Sequence, residues 1–180
     1  DTLEFFSYAT WTADGRVLVF GGNRIQYLDP ATRTLEPLHE TPVNDAPVAA
    51  PNGCCVAYTT FDGVYIYEIA TGNVIPLESH ENVYAPRFSP DSTRLVYVKR
   101  SNDLNDNGLY IFDFTTGETQ QINISPMLLI NHPTWSPDGR KIAFVQSNTR
   151  NDISILNVNT GEIDWITGTS RTEANLMWVK

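Results

Sequence analysis

Short hydrophobic runs separated by polar turns recur along the whole chain, and none has the sustained three-to-four-residue spacing of an amphipathic helix. One set of runs is nearly continuous in β-branched and aromatic residues, which is typical of strands covered on both faces. These runs are residues 16–20, 54–58, 94–98 and 141–145, and each is followed by a second run, at 24–28, 63–67, 108–112 and 152–156. Shorter, more polar runs such as 35–38 and 74–77 close the units. Because they contain proline, which donates no ladder hydrogen bond, we expect them to be edge strands.

One turn signature precedes each buried run and defines a repeat. Its clearest copy is Ser136-Pro137-Asp138-Gly139, and earlier copies occupy residues 12–15, 50–53 and 89–92. Proline fixes the first corner of such a turn, Asp or Asn caps it, and Gly accepts a positive φ. A mostly aromatic position stands just before each turn, at Trp11, Ala49, Phe88 and Trp135, and Trp178 starts a fifth copy. Four short strands in each unit of roughly 40 to 45 residues indicate propeller blades.

The sequence therefore predicts an all-β fold, a β-propeller of four-stranded antiparallel blades with four blades plus the first strand of a fifth. As a single propeller domain or propeller fragment, it should have blades at about 5–42, 43–80, 81–126 and 127–170, and a stub at 171–180. Stacked blades would bury the apolar strands between them, so we expect Trp135 to be buried. Three assemblies remain open: a fragment of a longer propeller, a tight four-bladed ring, or a homodimer in which two chains complete one ring.

Composition and charge narrow the classes of partner. The net charge of -9 repels a phosphate backbone, and the basic residues are scattered, so we expect no nucleic-acid partner. No apolar run approaches the roughly 18 residues of a membrane span. Cys54 and Cys55 are adjacent, and neighbouring residues in a strand point to opposite faces. We therefore expect one buried and one outward-facing cysteine.

The fourth repeat resembles the TolB-like propeller repeat. Residues 133–145 read Pro-Thr-Trp-Ser-Pro-Asp-Gly-Arg-Lys-Ile-Ala-Phe-Val, and the matching positions continue to 167. The third repeat, 86–122, matches with Ser92 where Gly is usual, the second lacks the aromatic residue and the first lacks the proline. Such repeats occur in bacterial periplasmic binding and scaffold proteins, and in propeller domains attached to prolyl-oligopeptidase-type proteases. The resemblance implies a WD-repeat-like bacterial propeller, and with the lysine-poor composition it favours a periplasmic or extracellular location.

The candidate ligand site lies where the chain enters each innermost strand. These positions are expected to face one mouth of the central channel, and they are Tyr8, Asp45, Tyr84, Asn131 and His132. Converging aromatic, acidic, amide and imidazole side chains would suit a ligand or peptide site. The alternative is that they only satisfy the ends of strands and line a wet funnel.

One polar loop resembles the first half of a calcium-binding loop. Asp103, Asn105 and Asn107 place oxygen-bearing side chains on alternate residues before Gly108. The bidentate Glu of such a loop is absent, because Phe114 stands at its position. The loop is therefore either a calcium site or an extended, solvated hairpin, and no other cofactor is expected.

The expected function is non-catalytic. The chain has no G-x-S-x-G, H-E-x-x-H or Walker motif, and we expect the Ser and Asp of its repeated turns to serve as turn chemistry. We expect a binding or scaffold propeller that recognises a protein or peptide at one face. The alternatives are the accessory, substrate-gating propeller of a prolyl-oligopeptidase-type serine peptidase, and a metal- or sugar-binding propeller. Trp165, in a polar closing strand, is either an exposed partner contact or a cover for its own blade.

Overall fold

The computed structural model describes residues 6–12, 14–21, 24–40, 43–80, 82–124, 129–147, 151–166, 176 and 178. Two compact units make up the chain, Asp1–Pro86 and Arg87–Lys180. Within the described residues, sixteen strands form four antiparallel four-stranded sheets. In each sheet the strands lie side by side in chain order, which is the meander of a propeller blade.

The first two sheets have these bounds. The first consists of β1 (Phe6–Trp11), β2 (Val17–Gly21), β3 (Arg24–Asp29) and β4 (Thr34–Glu40). The second consists of β5 (Val48–Ala49), β6 (Cys55–Thr60), β7 (Gly63–Glu68) and β8 (Val74–Glu78). Every strand of the two sheets pairs with its sequence neighbour.

The third and fourth sheets repeat this plan. The third consists of β9 (Val83–Phe88), β10 (Arg94–Lys99), β11 (Gly108–Asp113) and β12 (Glu118–Ile122). The fourth consists of β13 (Leu129–Trp135), β14 (Lys141–Ser147), β15 (Asn151–Asn157) and β16 (Ile163–Trp165). In the described part of the chain the one helical element is a 3-10 turn, Leu104–Asp106. No helix there is long and apolar enough to cross a membrane.

Burial follows the hydrophobic pattern of each strand. All six residues of β6 are buried, as are five of the six in β10, whereas the closing strand β8 is largely exposed. The pairing of β3 with β4 and of β7 with β8 is irregular next to Pro37 and Pro76. The prediction that the proline-containing closing strands form sheet edges is therefore confirmed.

In the first unit, two sheets bury a shared apolar core. Its buried members come from β2, β3 and β6, and they are Leu18, Phe20, Ile25, Tyr27, Val56 and Tyr58. Beside this core the Tyr58 hydroxyl lies 3.1 Å from His39 Nε2, and burial lowers the pKa of His39. One sheet alone could not cover these side chains, so the core is made by stacking.

In the second unit, Trp135 joins the third and fourth sheets. Its side chain is only 7% exposed, its Nε1 donates to the Arg87 carbonyl at 3.0 Å, and the Arg94 guanidinium lies over the ring. Arg94 also donates from Nη2 to the Gly139 carbonyl at 2.9 Å. The predicted burial of Trp135 is confirmed.

Trp178 repeats the contact of Trp135 one repeat later. Its Nε1 donates to the Thr134 carbonyl at 3.2 Å. Thr134 directly precedes Trp135, and Arg87 directly precedes Phe88. Each indole therefore donates a hydrogen bond to the carbonyl of the residue that comes just before the aromatic position of the previous repeat. The predicted fifth copy therefore has the expected register at Trp178, and the rest of the stub, apart from Leu176, lies outside the described residues.

Candidate functional site

The start of β9 and the loop before β5 meet in a cleft of the first unit. The cleft has a volume of about 410 Å³. Its lining consists of Asn44, Asp45, Phe61, Asn82, Val83 and Tyr84. The structure thus brings together Asp45 and Tyr84, two of the five predicted site residues.

Asp45 is held by backbone contacts on both carboxylate oxygens. Its Oδ2 accepts a hydrogen bond from the amide of Ala85 at 2.9 Å, and its Oδ1 accepts one from Ala46 at 2.8 Å. Ala85 has a φ of 53°, a left-handed conformation that is strained for alanine. The carboxylate therefore anchors a strained segment of β9, which suits a positioning role better than that of a free base.

Phe61 is the cleft residue that the sequence analysis missed. It stands in the short hairpin loop between β6 and β7, and its side chain is 75% exposed. In this loop Thr60 donates a hydrogen bond to the Asp62 carboxylate, which lowers the pKa of Asp62. An aromatic side chain held at a hairpin tip beside a cleft is a ready contact surface for a partner.

The other three predicted mouth residues lie elsewhere. Tyr8 is exposed on β1 and stacks on Phe20 with ring centroids 6.2 Å apart. Asn131 and His132 belong to the second unit, on β13, where the pairing with β14 is irregular and His132 has a φ of 52°. The described lining of the cleft includes none of the three. That all five residues face one opening stays a prediction.

The predicted calcium loop is closed by its own hydrogen bonds. Asp103 Oδ1 caps the 3-10 turn by accepting from the amide of Asn105 at 3.0 Å, and Asn107 Oδ1 accepts from the amide of Ser101. Asp106 pairs with Lys99 at 2.9 Å. These contacts are those of a structured hairpin loop, and calcium binding there stays a prediction. In the part of the chain that the structure describes, no three His, Cys, Asp or Glu side chains are grouped to hold a metal ion.

The repeated Ser-Asp turns are engaged in local hydrogen bonding. Ser136 donates to Asp138 Oδ1 at 2.6 Å, and the same hydroxyl accepts from the amide of Lys141 at 2.9 Å. Ser89 and Asp91 repeat this pair at 2.6 Å. The hydroxyl donors lower the pKa of both carboxyl groups. Each pair stabilises its own turn, which is the turn chemistry expected from the sequence.

The structure also bears on the predictions for the two cysteines and for Trp165. Cys55, the first residue of β6, is buried, and Cys54, which directly precedes the strand, is exposed, so the prediction of one buried and one outward-facing cysteine is confirmed. Trp165 is 59% exposed on the closing strand β16, and its contact with a partner stays a prediction.

The repeat signature, the four-stranded meanders and the docked tryptophans point to one family. The family model described as "TolB beta propeller domain" matches residues 46–180. This chain belongs to the TolB beta propeller domain family. The predicted family and the predicted all-β propeller fold class are both confirmed.

The relatives described next are longer than the chain. The uncharacterized peptidase YuxL of Bacillus subtilis is 29% identical over 71% of this chain and 19% of its own length. The Tol-Pal system protein TolB of Alcanivorax borkumensis is 34% identical over 39% of this chain and 16% of its own length. A putative TolB from Agrobacterium tumefaciens superposes with a TM-score of 0.79 at 20% identity, over 95% of this chain and 65% of that one. The chain thus spans about a fifth of the curated relatives it matches, and its relatives include both TolB proteins and peptidases.

Proposed function

We propose that this TolB-type propeller segment is a non-catalytic binding module that recognises a protein or peptide segment. The observation that carries the proposal is the cleft of about 410 Å³, with the exposed Phe61 at its edge and Tyr84 in its wall. Aromatic side chains around a concave surface supply large contact areas with little conformational entropy to lose. The net charge of -9 argues against a nucleic-acid partner.

The arrangement of Asp45 supports binding rather than catalysis. Both of its oxygens already accept backbone hydrogen bonds, so it orders the cleft wall. A second cleft, of about 500 Å³, lies in the second unit and is lined by polar residues of the β11–β12 hairpin, with Arg94, Ile111 and Val158. No aromatic side chain is present in its described lining. The cleft of the first unit that contains Phe61, called the Phe61 cleft below, is therefore the better candidate for the binding site.

The test is a peptide selection followed by titration of matched variants. A displayed library of random 12-residue peptides is selected on the 180-residue chain, and the selected peptide is titrated by calorimetry. We expect Phe61→Ala to weaken its binding at least about tenfold, as for an aromatic hot spot. Trp165→Ala, an exposed aromatic on the fourth sheet, serves as the control and should leave the affinity unchanged. The opposite pattern would place the partner surface on β16 and reject the Phe61 cleft.

A second candidate function is that of an accessory propeller in a serine peptidase. It is favoured by the match to the Bacillus subtilis peptidase, which extends over 71% of this chain. Labelling of the natural full-length protein by a fluorophosphonate probe would support this candidate. In either case we place the chain in the periplasm or outside the cell, a proposal supported by its kinship with Tol-Pal system proteins.

A further inference from the structure

Three buried side-chain oxygens of the fourth sheet lack a hydrogen-bond partner. They are Gln146 Oε1, Asp152 Oδ1 and Ser154 Oγ. Gln146 is 2% exposed and Ser154 is 0% exposed, and Asp152 is half-buried with its Oδ1 out of contact with solvent. Buried polar atoms in folded proteins nearly always have a partner, so these three exceptions need an explanation, such as a bound water or ion.

The strand register places the three side chains on one face. Gln146 pairs with Asp152, and Ser154 stands two residues further along β15 opposite Phe144. Directly paired residues, and residues two apart in a strand, point to the same side of a sheet. The three side chains therefore lie side by side on one face of the fourth sheet.

This face is turned toward the third sheet. Ile142, two residues before Phe144, is the register partner of Trp135, so both lie on the same side as the three oxygens. Trp135 donates its indole hydrogen bond to Arg87, at the β9 side. The three oxygens therefore lie on the face of the fourth sheet that carries Trp135.

Ser154 stands where two other sheets carry a tyrosine. Phe144, Tyr97 and Tyr58 each lie seven residues after the proline of their turn, and their partners on the next strand are Ser154, Tyr110 and Tyr65. In those two sheets the paired tyrosine rings stack with centroids 5.6 Å apart. In the fourth sheet a hydroxyl replaces the second ring. Serine is much smaller than tyrosine, and it lies on the same sheet face as Gln146 and Asp152, whose oxygens are also unsatisfied.

We propose that Gln146, Asp152 and Ser154 bind a hard cation in the interior of the second unit. A carboxylate, an amide carbonyl and a hydroxyl are the oxygen donors that such ions prefer. A cation also stabilises a carboxylate oxygen that is withdrawn from water. The Gln146 carbonyl and the Asp152 carboxylate only accept hydrogen bonds, and the Ser154 hydroxyl can accept as well, which favours a cation over an anion. The site is separate from the Phe61 cleft and does not depend on the proposed function.

The experiment is a thermal titration of the full 180-residue chain with CaCl2 or NaCl, at an ionic strength held constant with choline chloride. We expect one of the two cations to raise Tm saturably, by about 5 to 10 °C at a hundredfold excess over Kd. Asp152→Asn, which removes the charge, should abolish the rise. Ser154→Tyr should also abolish it while the chain still folds, because tyrosine occupies the same position in the second and third sheets.

Asp103→Asn is the matched control, since Asp103 belongs to the loop that the sequence predicts to bind calcium. It should retain the full response. A rise with Ca²⁺ alone assigns the site to a divalent ion, and a rise with Na⁺ alone assigns it to a monovalent one. A response lost in Asp103→Asn but kept in Asp152→Asn and Ser154→Tyr would overturn the proposal. It would also be overturned by no response to either salt, which would leave a buried water as the partner of the oxygens.

Discussion

Trp11 and Trp135 occupy the same position of the repeat, but their surroundings differ. The side chain of Trp135 is 7% exposed, and that of Trp11 is 67% exposed. Trp135 reaches the Arg87 carbonyl of β9, whereas on β1 the residues from Tyr8 to Trp11 are all exposed. The comparison teaches that the repeat fixes where an aromatic side chain stands. Whether that side chain is buried depends on a neighbouring sheet.

The largest expected effect comes from deleting the two indoles. Trp135→Ala should lower the free energy of unfolding by about 3 to 5 kcal/mol, because it removes a buried aromatic side chain and leaves a cavity. Trp11→Ala should cost about 0.5 kcal/mol or less, as for an exposed residue. Urea unfolding of both variants measures the difference.

Equal losses of unfolding free energy in Trp11→Ala and Trp135→Ala would contradict the difference in burial between the two tryptophans. Trp11 would then be covered in solution, and light scattering should show the dimer in which two chains bury blade faces against each other. A monomer of 20.2 kDa together with unequal losses would keep the comparison as stated.

A smaller effect is expected from removing Asp45, a non-aromatic residue that anchors the innermost strand β9. Asp45→Ala takes away the acceptor of the Ala85 amide, and Ala85 holds a φ of 53°. We expect a loss of about 2 kcal/mol in the free energy of unfolding, the usual range for a hydrogen bond to a charged group. Asp62→Ala, at the exposed hairpin tip, is the control and should cost less. Equal urea midpoints for wild type and Asp45→Ala would show that the aromatic position alone fixes an inner strand.

The smallest effect on stability is expected at the repeated turn, one copy of which follows Trp11 and another Trp135. Thr12 donates to Asp14 and lowers its pKa to about 2, and Ser136 donates to Asp138 and lowers its pKa as well. A carboxyl group with a lowered pKa in the folded state stabilises it above the unfolded pKa of about 3.9. That stability is lost as the pH falls from about 4 toward 2.

Both copies should therefore behave alike in acid, whatever the burial of the neighbouring tryptophan. Asp14→Asn and Asp138→Asn should each reduce the loss of unfolding free energy between pH 5 and pH 2.5. Both effects should be small, because the side chains are exposed and solvent screens them. A reduction in only one variant would show that the turns differ as much as the tryptophans do.

The strands were predictable because their signals are local. The predicted run 108–112 became β11 (Gly108–Asp113), and 152–156 became β15 (Asn151–Asn157). Even the departure at Ser92 changed nothing, since Ser92 adopts a φ of 62° where Gly139 has 68°. The turn geometry is imposed by the strands on either side, and serine tolerates it at some cost in strain.

The candidate site was less predictable because it depends on contacts between repeats. Alignment of the repeats identified Asp45 and Tyr84, but Phe61 lies at a hairpin tip that carries no repeat signal. The unsatisfied oxygens around Ser154 were likewise invisible in sequence. A serine in a strand becomes informative only when its register partner and the equivalent tyrosines of other sheets are known.

The adjacent cysteines give the protein a built-in labelling position. Cys54 is exposed, while burial raises the pKa of the Cys55 thiol, so a maleimide dye at neutral pH should modify Cys54 alone. Cys54 precedes β6 and Phe61 follows it, so the length of a six-residue strand, roughly 20 Å, separates the dye from the cleft. A fluorophore there lies within energy-transfer range of a labelled peptide without blocking it, and the binding experiment requires no engineered cysteine.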